Sequence, residues 1–242
     1  MRIHFRHFFF IAANIIFIWH FLNYNSTNFS KLSNLIFTLT ASNYLGMQDF
    51  WIFFKIGINH VLDYNGYDHI LFLIALAVPY TTKEWQRILI LVSIFTVGHT
   101  LALLLSVFNI VVIKVAIVEL LIPITILITA FYNIFTAGKL AKKDGISFVG
   151  IVTLSFGIIH GLGFSNYFKS MITGDTLDKL VPTLEFALGI EGAQIIIIGC
   201  VLILSFVMQT LFRFNKRDFT LTMSAFVIGV VLPLIIGNSI WR

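Results

Sequence analysis

The chain has 242 residues, 58% of them hydrophobic and only 11% charged, and its mean hydropathy of +0.95 excludes a soluble globular protein, in which about a quarter of residues are charged. No segment is polar enough for a separate soluble domain, which leaves a polytopic membrane protein. The net charge of +5 lies in short loops between apolar runs, a topology signal that speaks against a nucleic-acid surface, and the single cysteine, Cys200, excludes an internal disulfide and a thiolate metal cluster.

Arg2 and Arg6 precede an apolar run from Phe8 to Leu22, and no small-residue cleavage site follows closely. This predicts an uncleaved signal-anchor helix. Residues 23 to 46 are rich in Asn, Ser and Thr and read as an outer loop, so 1–46 forms an anchor and loop and 47–242 the membrane bundle. Residues 50 to 62 are too short to span and carry Lys55 in the middle, which predicts an interfacial or re-entrant helix. Asn65-Gly66 marks a turn. Asp68 then begins the next helix, where a carboxylate suits the positive end of the helix dipole. Six spanning segments follow, roughly 67 to 81, 87 to 108, 110 to 136, 146 to 168, 182 to 210 and 219 to 240. With the N-terminal helix the expected fold is an all-α bundle of about seven transmembrane helices plus the interfacial or re-entrant segment.

If residues 50 to 62 do not cross, the loop charges separate by side. One side holds Arg2 and Arg6, Lys83 and Arg87, Lys139, Lys142 and Lys143, and Arg213, Lys216 and Arg217. The other holds the 57–66 turn, Asn109, and the 169–181 loop with Asp175 and Asp178. Lys and Arg favour the cytoplasm. The expectation is a bacterial inner-membrane protein with a cytoplasmic N-terminus and a C-terminus outside.

The stretch GINHVLDYNGYDH, residues 57 to 69, gathers His60, Asp63, Asp68 and His69 against an apolar run. Such groups near a bilayer are costly unless compensated, and a cation compensates them. His99, Glu119, His160 and Glu191 lie inside four other apolar runs, each eight or nine residues from the outer end. At 1.5 Å per residue they share a depth of roughly 12–14 Å and are expected to meet in the interior. Gly98, Gly157, Gly161, Gly163, Gly189 and Gly192 flank them, allowing close helix approach. Pro123 is expected to kink its helix, and Asp63 to shape the turn. Asn133 and Gln194 read as interhelical hydrogen-bonding residues, and His4, His7 and His20 receive no ligand role.

His with Asp and Glu, and no Cys, suits Zn, Ni or Co, whereas Ca or Mg would call for an oxygen cage. Two function classes stay open. A permease binds the ion transiently at mid-membrane. A zinc-dependent hydrolase, acting on a lipid or membrane-protein substrate, holds it on about three ligands, with Glu119 or Glu191 as catalytic general base. No ionisable relay towards the cytoplasm is evident below the four residues, a point in favour of the hydrolase. A non-catalytic metal-binding accessory protein is a third reading.

GINHVLDYNGYDHILFLIAL, FTVGHTLAL, VELLI, FGIIHGLGF and FALGIEGAQ, in this order over roughly residues 50 to 200, resemble the HupE/UreJ family of hydrogenase and urease accessory membrane proteins. The resemblance implies an inner-membrane nickel or cobalt permease, with His60, Asp68 and His69 as metal ligands, His99 and His160 as their partners, and metalloenzyme-maturation proteins as possible associates. In the founding members the pattern is H-P-x-x-G-x-D-H; here Val61 follows His60, and Asp68 lies eight residues after His60. The longer turn changes the geometry at His60. Nickel or cobalt transport is the first expectation, and the hydrolase is the second.

Overall fold

An apolar run inside a bilayer must close its backbone hydrogen bonds within itself, so these segments fold as helices. The computed structural model describes residues 47–64, 66–138, 147–172, 174 and 178–241, and their regular structure is entirely helical. The helices are α1 (Met47–Leu62), α2 (Asp68–Ala77), α3 (Trp85–Val107), α4 (Val115–Thr136), α5 (Ser147–Met171), α6 (Leu180–Thr210) and α7 (Lys216–Ile236). The chain divides into two compact units, Met1–Phe50 and Trp51–Arg242, and the second contains His60, Asp68, His69, His99 and His160. The predicted N-terminal helix and outer loop, Lys139, Lys142, Lys143 and Asp175 lie outside the described residues, as does Asn65 of the expected turn.

Five helices, α3 to α7, are long and apolar enough to cross a membrane. The first predicted span is shorter than expected: α2 has only 10 residues, about 15 Å of helix. It starts inside the bundle with Asp68 and His69 and runs antiparallel to α3 and α5, as its side-chain partners show. His69 lies beside His99 and His160, and one turn later Phe72 lies beside Phe95 and Phe156. A helix end in this setting leaves carbonyls without partners. Asn133 Nδ2 of α4 donates to Ala75 O at 2.6 Å, and Thr220 Oγ1 of α7 reaches Val78 O at 3.4 Å. Asn133 is thus the interhelical donor that the sequence suggested. α4 itself runs on through Pro123 without a break in its assignment.

Burying apolar surface gains little between helices already in lipid, so association depends on close backbone approach and polar links. α3 and α5 make the most extensive helix pair, running parallel through a glycine seam. A Cβ at Gly98 would collide with the Leu154 carbonyl, at Gly157 with the Phe95 carbonyl, and at Gly161 with the His99 carbonyl. A second crossing holds α1. Gly57 lies against Phe186 O and Gly189 against Phe54 O, so α1 is inserted antiparallel along α6 and does not lie flat at an interface. Large apolar side chains such as Ile128, Phe135, Ile151 and Ile196 face outward, as lipid-facing residues do.

At one end of the bundle Lys216 Nζ meets Glu84 Oε2 at 3.2 Å, joining the starts of α3 and α7. At the other, Lys169 Nζ meets Asn109 Oδ1 at 3.1 Å. The described basic residues Lys83, Arg87, Arg213, Lys216 and Arg217 therefore flank the first end, and α2 points its C-terminus towards it.

Gly157→Leu or Gly189→Leu should lower the thermal midpoint of detergent-purified protein or abolish a monodisperse species. Overpacking of this kind costs about 1–3 kcal/mol, roughly 2–10 °C for a chain of this size. Gly199→Ala, whose Cβ meets nothing within 4 Å, should leave the midpoint unchanged. Equal midpoints for all three variants would contradict the seam.

Candidate metal centre

Four helices bring five side chains of metal-ligand type to one place. α1 brings His60, α2 Asp68 and His69, α3 His99 and α5 His160. One donor atom each of His60, His69 and His99 lies within 4.8 Å of the others, and the same holds for Asp68, His69 and His160. His69 belongs to both groups and joins them. Its ring centroid lies 4.6 Å from those of His60 and His160 and 6.1 Å from that of His99. Donors on one ion at bonds of about 2.1 Å stand roughly 3.4 Å apart, and Asp68 Oδ1 to His69 Nδ1 at 3.2 Å and Asp68 Oδ2 to His160 Nε2 at 3.6 Å are separations of that order.

The local chain explains each placement. His99 follows Gly98, and His160 sits between Gly157 and Gly161, so the backbone contact of α3 and α5 sets both rings side by side. His60 follows the Gly57 crossing by one turn. Asp68 is the first residue of α2, where its Oδ1 accepts the His69 backbone N–H at 2.9 Å and stands 3.2 Å from His69 Nδ1. A carboxylate that takes Nδ1–H fixes the tautomer and leaves Nε2 as a lone-pair donor. Asp68 Oδ2 lies 3.6 Å from His160 Nε2.

The unusual feature is what these rings lack. His60 Nε2, His69 Nε2 and both ring nitrogens of His99 are buried with no hydrogen-bond partner among the described residues. His99 is 0% exposed. Several uncompensated imidazole nitrogens at one point in a membrane bundle are costly, and a borderline metal ion that takes one nitrogen from each ring relieves one on each of His60, His69 and His99. The donor set therefore fits Zn, Ni or Co, and it lacks the oxygen cage that Ca or Mg needs. Cys200, exposed on α6, contributes no thiolate.

Aromatic rings close the centre on two sides. Phe72, Phe95 and Phe156 lie one turn from His69, His99 and His160 and form a floor, with Phe72 and Phe156 stacked at 3.8 Å. Above, Phe164 packs on His60 at 3.8 Å and stacks on Phe186 at 5.1 Å. Beyond Phe164 an open cavity of about 480 Å³ is lined by His60, Asn59, Asp63 and Tyr167 among others. Asp63, expected to shape the turn, is part of this cavity's lining.

The two glutamates expected at the same depth do not join the cluster. Glu119 is exposed, because α4 turns Val118, Ile122, Ile126 and Asn133 inward and leaves Glu119 on its outer face. Glu191 is half-buried and accepts a 2.7 Å hydrogen bond from Ser93 Oγ, six residues before His99 on α3. Equal distance from the helix end says nothing about direction around the axis. Sequence reasoning also missed the Phe floor and the Phe164 cap. Their only signal was an aromatic residue four positions before His99 and His160, and four after His160.

Phe164→Ala should at least double the rate at which diethyl pyrocarbonate modifies His60, read by peptide mass spectrometry, with His99 still protected. An unchanged His60 rate would show that Phe164 does not cover it.

A family model described as HupE / UreJ protein matches residues 37–237, most of the chain. No curated protein and no solved structure matches it.

Proposed function

The chain belongs to the HupE/UreJ family, and from that premise we propose that it carries a divalent transition metal, nickel or cobalt, across the bacterial inner membrane. The observation that supports this reading is the convergence of His60, Asp68, His69, His99 and His160 with buried, unpartnered imidazole nitrogens. The ion enters by the cavity beside Asp63 and His60, exchanges water for imidazole at His69 and His99, and is held above the Phe72–Phe95–Phe156 floor. Imidazole ligation without thiolate allows binding strong enough to strip hydration and weak enough to release. Release requires the floor to part, which would displace Phe72 and with it α2, whose C-terminal end is bonded by Asn133. Delivery to metalloenzyme-maturation proteins on the far side would follow from such a role.

The hydrolase reading loses support from the placement of its bases. Glu119 faces away from the cluster and Glu191 is engaged by Ser93, so neither stands where a metal-bound water would be activated. The sequence argument for that reading, the lack of any ionisable group beyond the site, also weakens. Glu191 lies beside Ser93, on the floor side of His99 along α3.

Purified wild-type protein should bind nickel or cobalt at about one ion per chain and take it up when reconstituted in vesicles. His99→Ala and His160→Ala should each lose at least tenfold in both, while Glu119→Gln keeps both. Normal metal content in the two histidine variants would sink the proposal. A tightly held zinc with no uptake would support the hydrolase instead.

A further inference from the structure

We propose that the bundle holds one acyl tail of an anionic phospholipid in a groove behind the Phe floor. The groove has a volume of about 90 Å³ and lies between α2, α4 and α5, with Phe72, Leu76, Ile128, Tyr132, Val149 and Val152 among its walls. Ile128 and Tyr132 are 55% and 43% exposed on the outer face of α4, so the groove opens towards lipid. Phe72 is one of its buried walls, and the same ring stacks on Phe156 at 3.8 Å to make the floor of the metal centre. The site is distinct from that centre and holds whichever role the centre has.

The lining decides what can enter. Thr129 and Thr153 also border the groove, but their hydroxyls donate to Thr125 O at 3.0 Å and to Val149 O at 2.8 Å. Both donors are thus used within their own helices, and apart from Tyr132 the other walls are hydrocarbon. Water finds too few partners in such a place, since a buried water makes about three hydrogen bonds, whereas a hydrocarbon chain gives up nothing on entering. An apolar cavity of about 150 Å³ engineered in another protein holds one benzene ring. The smaller groove here suits a single extended chain better than a fused-ring molecule. With a chain in place, the back of Phe72 gains the dispersion contacts that an empty groove would deny it.

Position supplies the leaflet and the headgroup. Leu76 is in the last turn of α2, Tyr132 near the end of α4 and Val149 in the first turn of α5, so the groove lies towards the basic end of the bundle. Gly138, just past α4, sits against the Arg217 side chain there. Tyr132 and Arg87 both interact electrostatically with the Tyr80 phenol, which brings a guanidinium within reach of the mouth. At this end the described cations Lys83, Arg87, Arg213, Lys216 and Arg217 outnumber the carboxylates Glu84 and Asp218. Tyrosines and cations at one level mark where lipid phosphates lie, and basic pockets between membrane helices take anionic headgroups. Phe95, which stacks with Phe72, follows Trp85 at the start of α3 by ten residues, about 15 Å of helix. The tails of one leaflet fill about half of a core roughly 30 Å thick, so a tail whose phosphate meets Arg87 ends at Phe72.

The test uses the full chain in phosphatidylcholine vesicles that contain a small share of phosphatidylglycerol carrying a diazirine at the end of one tail. Photolabel at Phe72, Leu76 or Val152, read by peptide mass spectrometry, should exceed that at Ile196 on the outward face of α6 at least fivefold. Giving the labelled lipid a phosphatidylcholine headgroup, or using Arg87→Gln with the first lipid, should lower groove label at least threefold. Thr129→Phe, which puts a ring into the groove, should lower it at least tenfold and leave Ile196 unchanged. Thr129→Leu fills less, and should still lower groove label threefold if the phenylalanine variant does not fold. Phosphatidylglycerol added to delipidated wild type should raise the thermal midpoint by about 2–4 °C, with no response in the filled variant. Equal label in the groove and at Ile196 would mean ordinary surrounding lipid and overturns the site. Equal label from the two headgroups overturns the anionic assignment, and groove label unchanged by the Thr129 variants overturns the location. None of these readouts involves metal, so loss of metal binding or absence of uptake counts against the transport reading alone.

Discussion

The structure depends on backbone-to-backbone approach at glycine. In a membrane the hydrophobic effect does not press helices together, because lipid is as apolar as their side chains. Specific contact has to come from surfaces that fit closely. Gly98, Gly157 and Gly161 supply one such surface between α3 and α5, and Gly57 with Gly189 supplies another between α1 and α6. Each seam carries a histidine at or within one turn of the contact. The histidines meet because the glycines do, and a ring nitrogen placed by a rigid crossing is held more closely than one placed by a loop.

The same bundle shows how a helix can end inside a membrane. α2 has 10 residues, too few to cross, and both of its ends need polar partners. At its start the positive end of the dipole suits Asp68, whose Oδ1 accepts the His69 backbone N–H and stands beside His69 Nδ1, so the residue that meets a helix-end need also orients a candidate ligand ring. At its other end Asn133 and Thr220 meet two carbonyls. Losing the Asn133 donor leaves the buried Ala75 carbonyl unpaired, a cost of about 1–3 kcal/mol, whereas the Thr220 hydroxyl has a nearer acceptor in Lys216 O at 2.9 Å. This short helix is held mainly by burial, with seven of its ten residues buried, and it carries two of the five candidate ligands.

Much of this was legible in the sequence because polar residues in apolar runs are rare and each demands an explanation. His99, His160, Asp68 and His69 stand out for that reason, and the flanking glycines indicate where helices touch. His60, shifted by the longer turn, still reaches the cluster because α1 inserts beside α6 and brings its last turn inward. Glu119 misled because depth was read from helix position while azimuth was not. On α4 the inward stripe is Val118, Ile122, Ile126 and Asn133, and Glu119 lies outside it. The hydrogen bonds of Ser93 and Thr96 to α6 were hidden for another reason. Hydroxyls in apolar helices usually bond their own backbone, as Thr100, Thr129, Thr136 and Thr153 do. Only the structure shows Ser93 spending its proton on Glu191.

The Phe floor and the polar contact of α3 with α6 together make the two sides of the candidate metal centre unlike. Directly beneath the rings, Phe72, Phe95 and Phe156 present apolar faces that no hydrated ion will pass. Beside them, on the α6 side of α3, oxygen atoms continue past the same level. Phe95 and Thr96 are adjacent on α3 and point to different neighbours, so rotation of α3 by about the 100° that separates consecutive residues would exchange an apolar lining for a polar one. A rotation that large is opposed by the glycine seam with α5. Displacement of α2 would remove Phe72 from the stack without rotating α3, but it would have to uncover the seven of its ten residues that are buried.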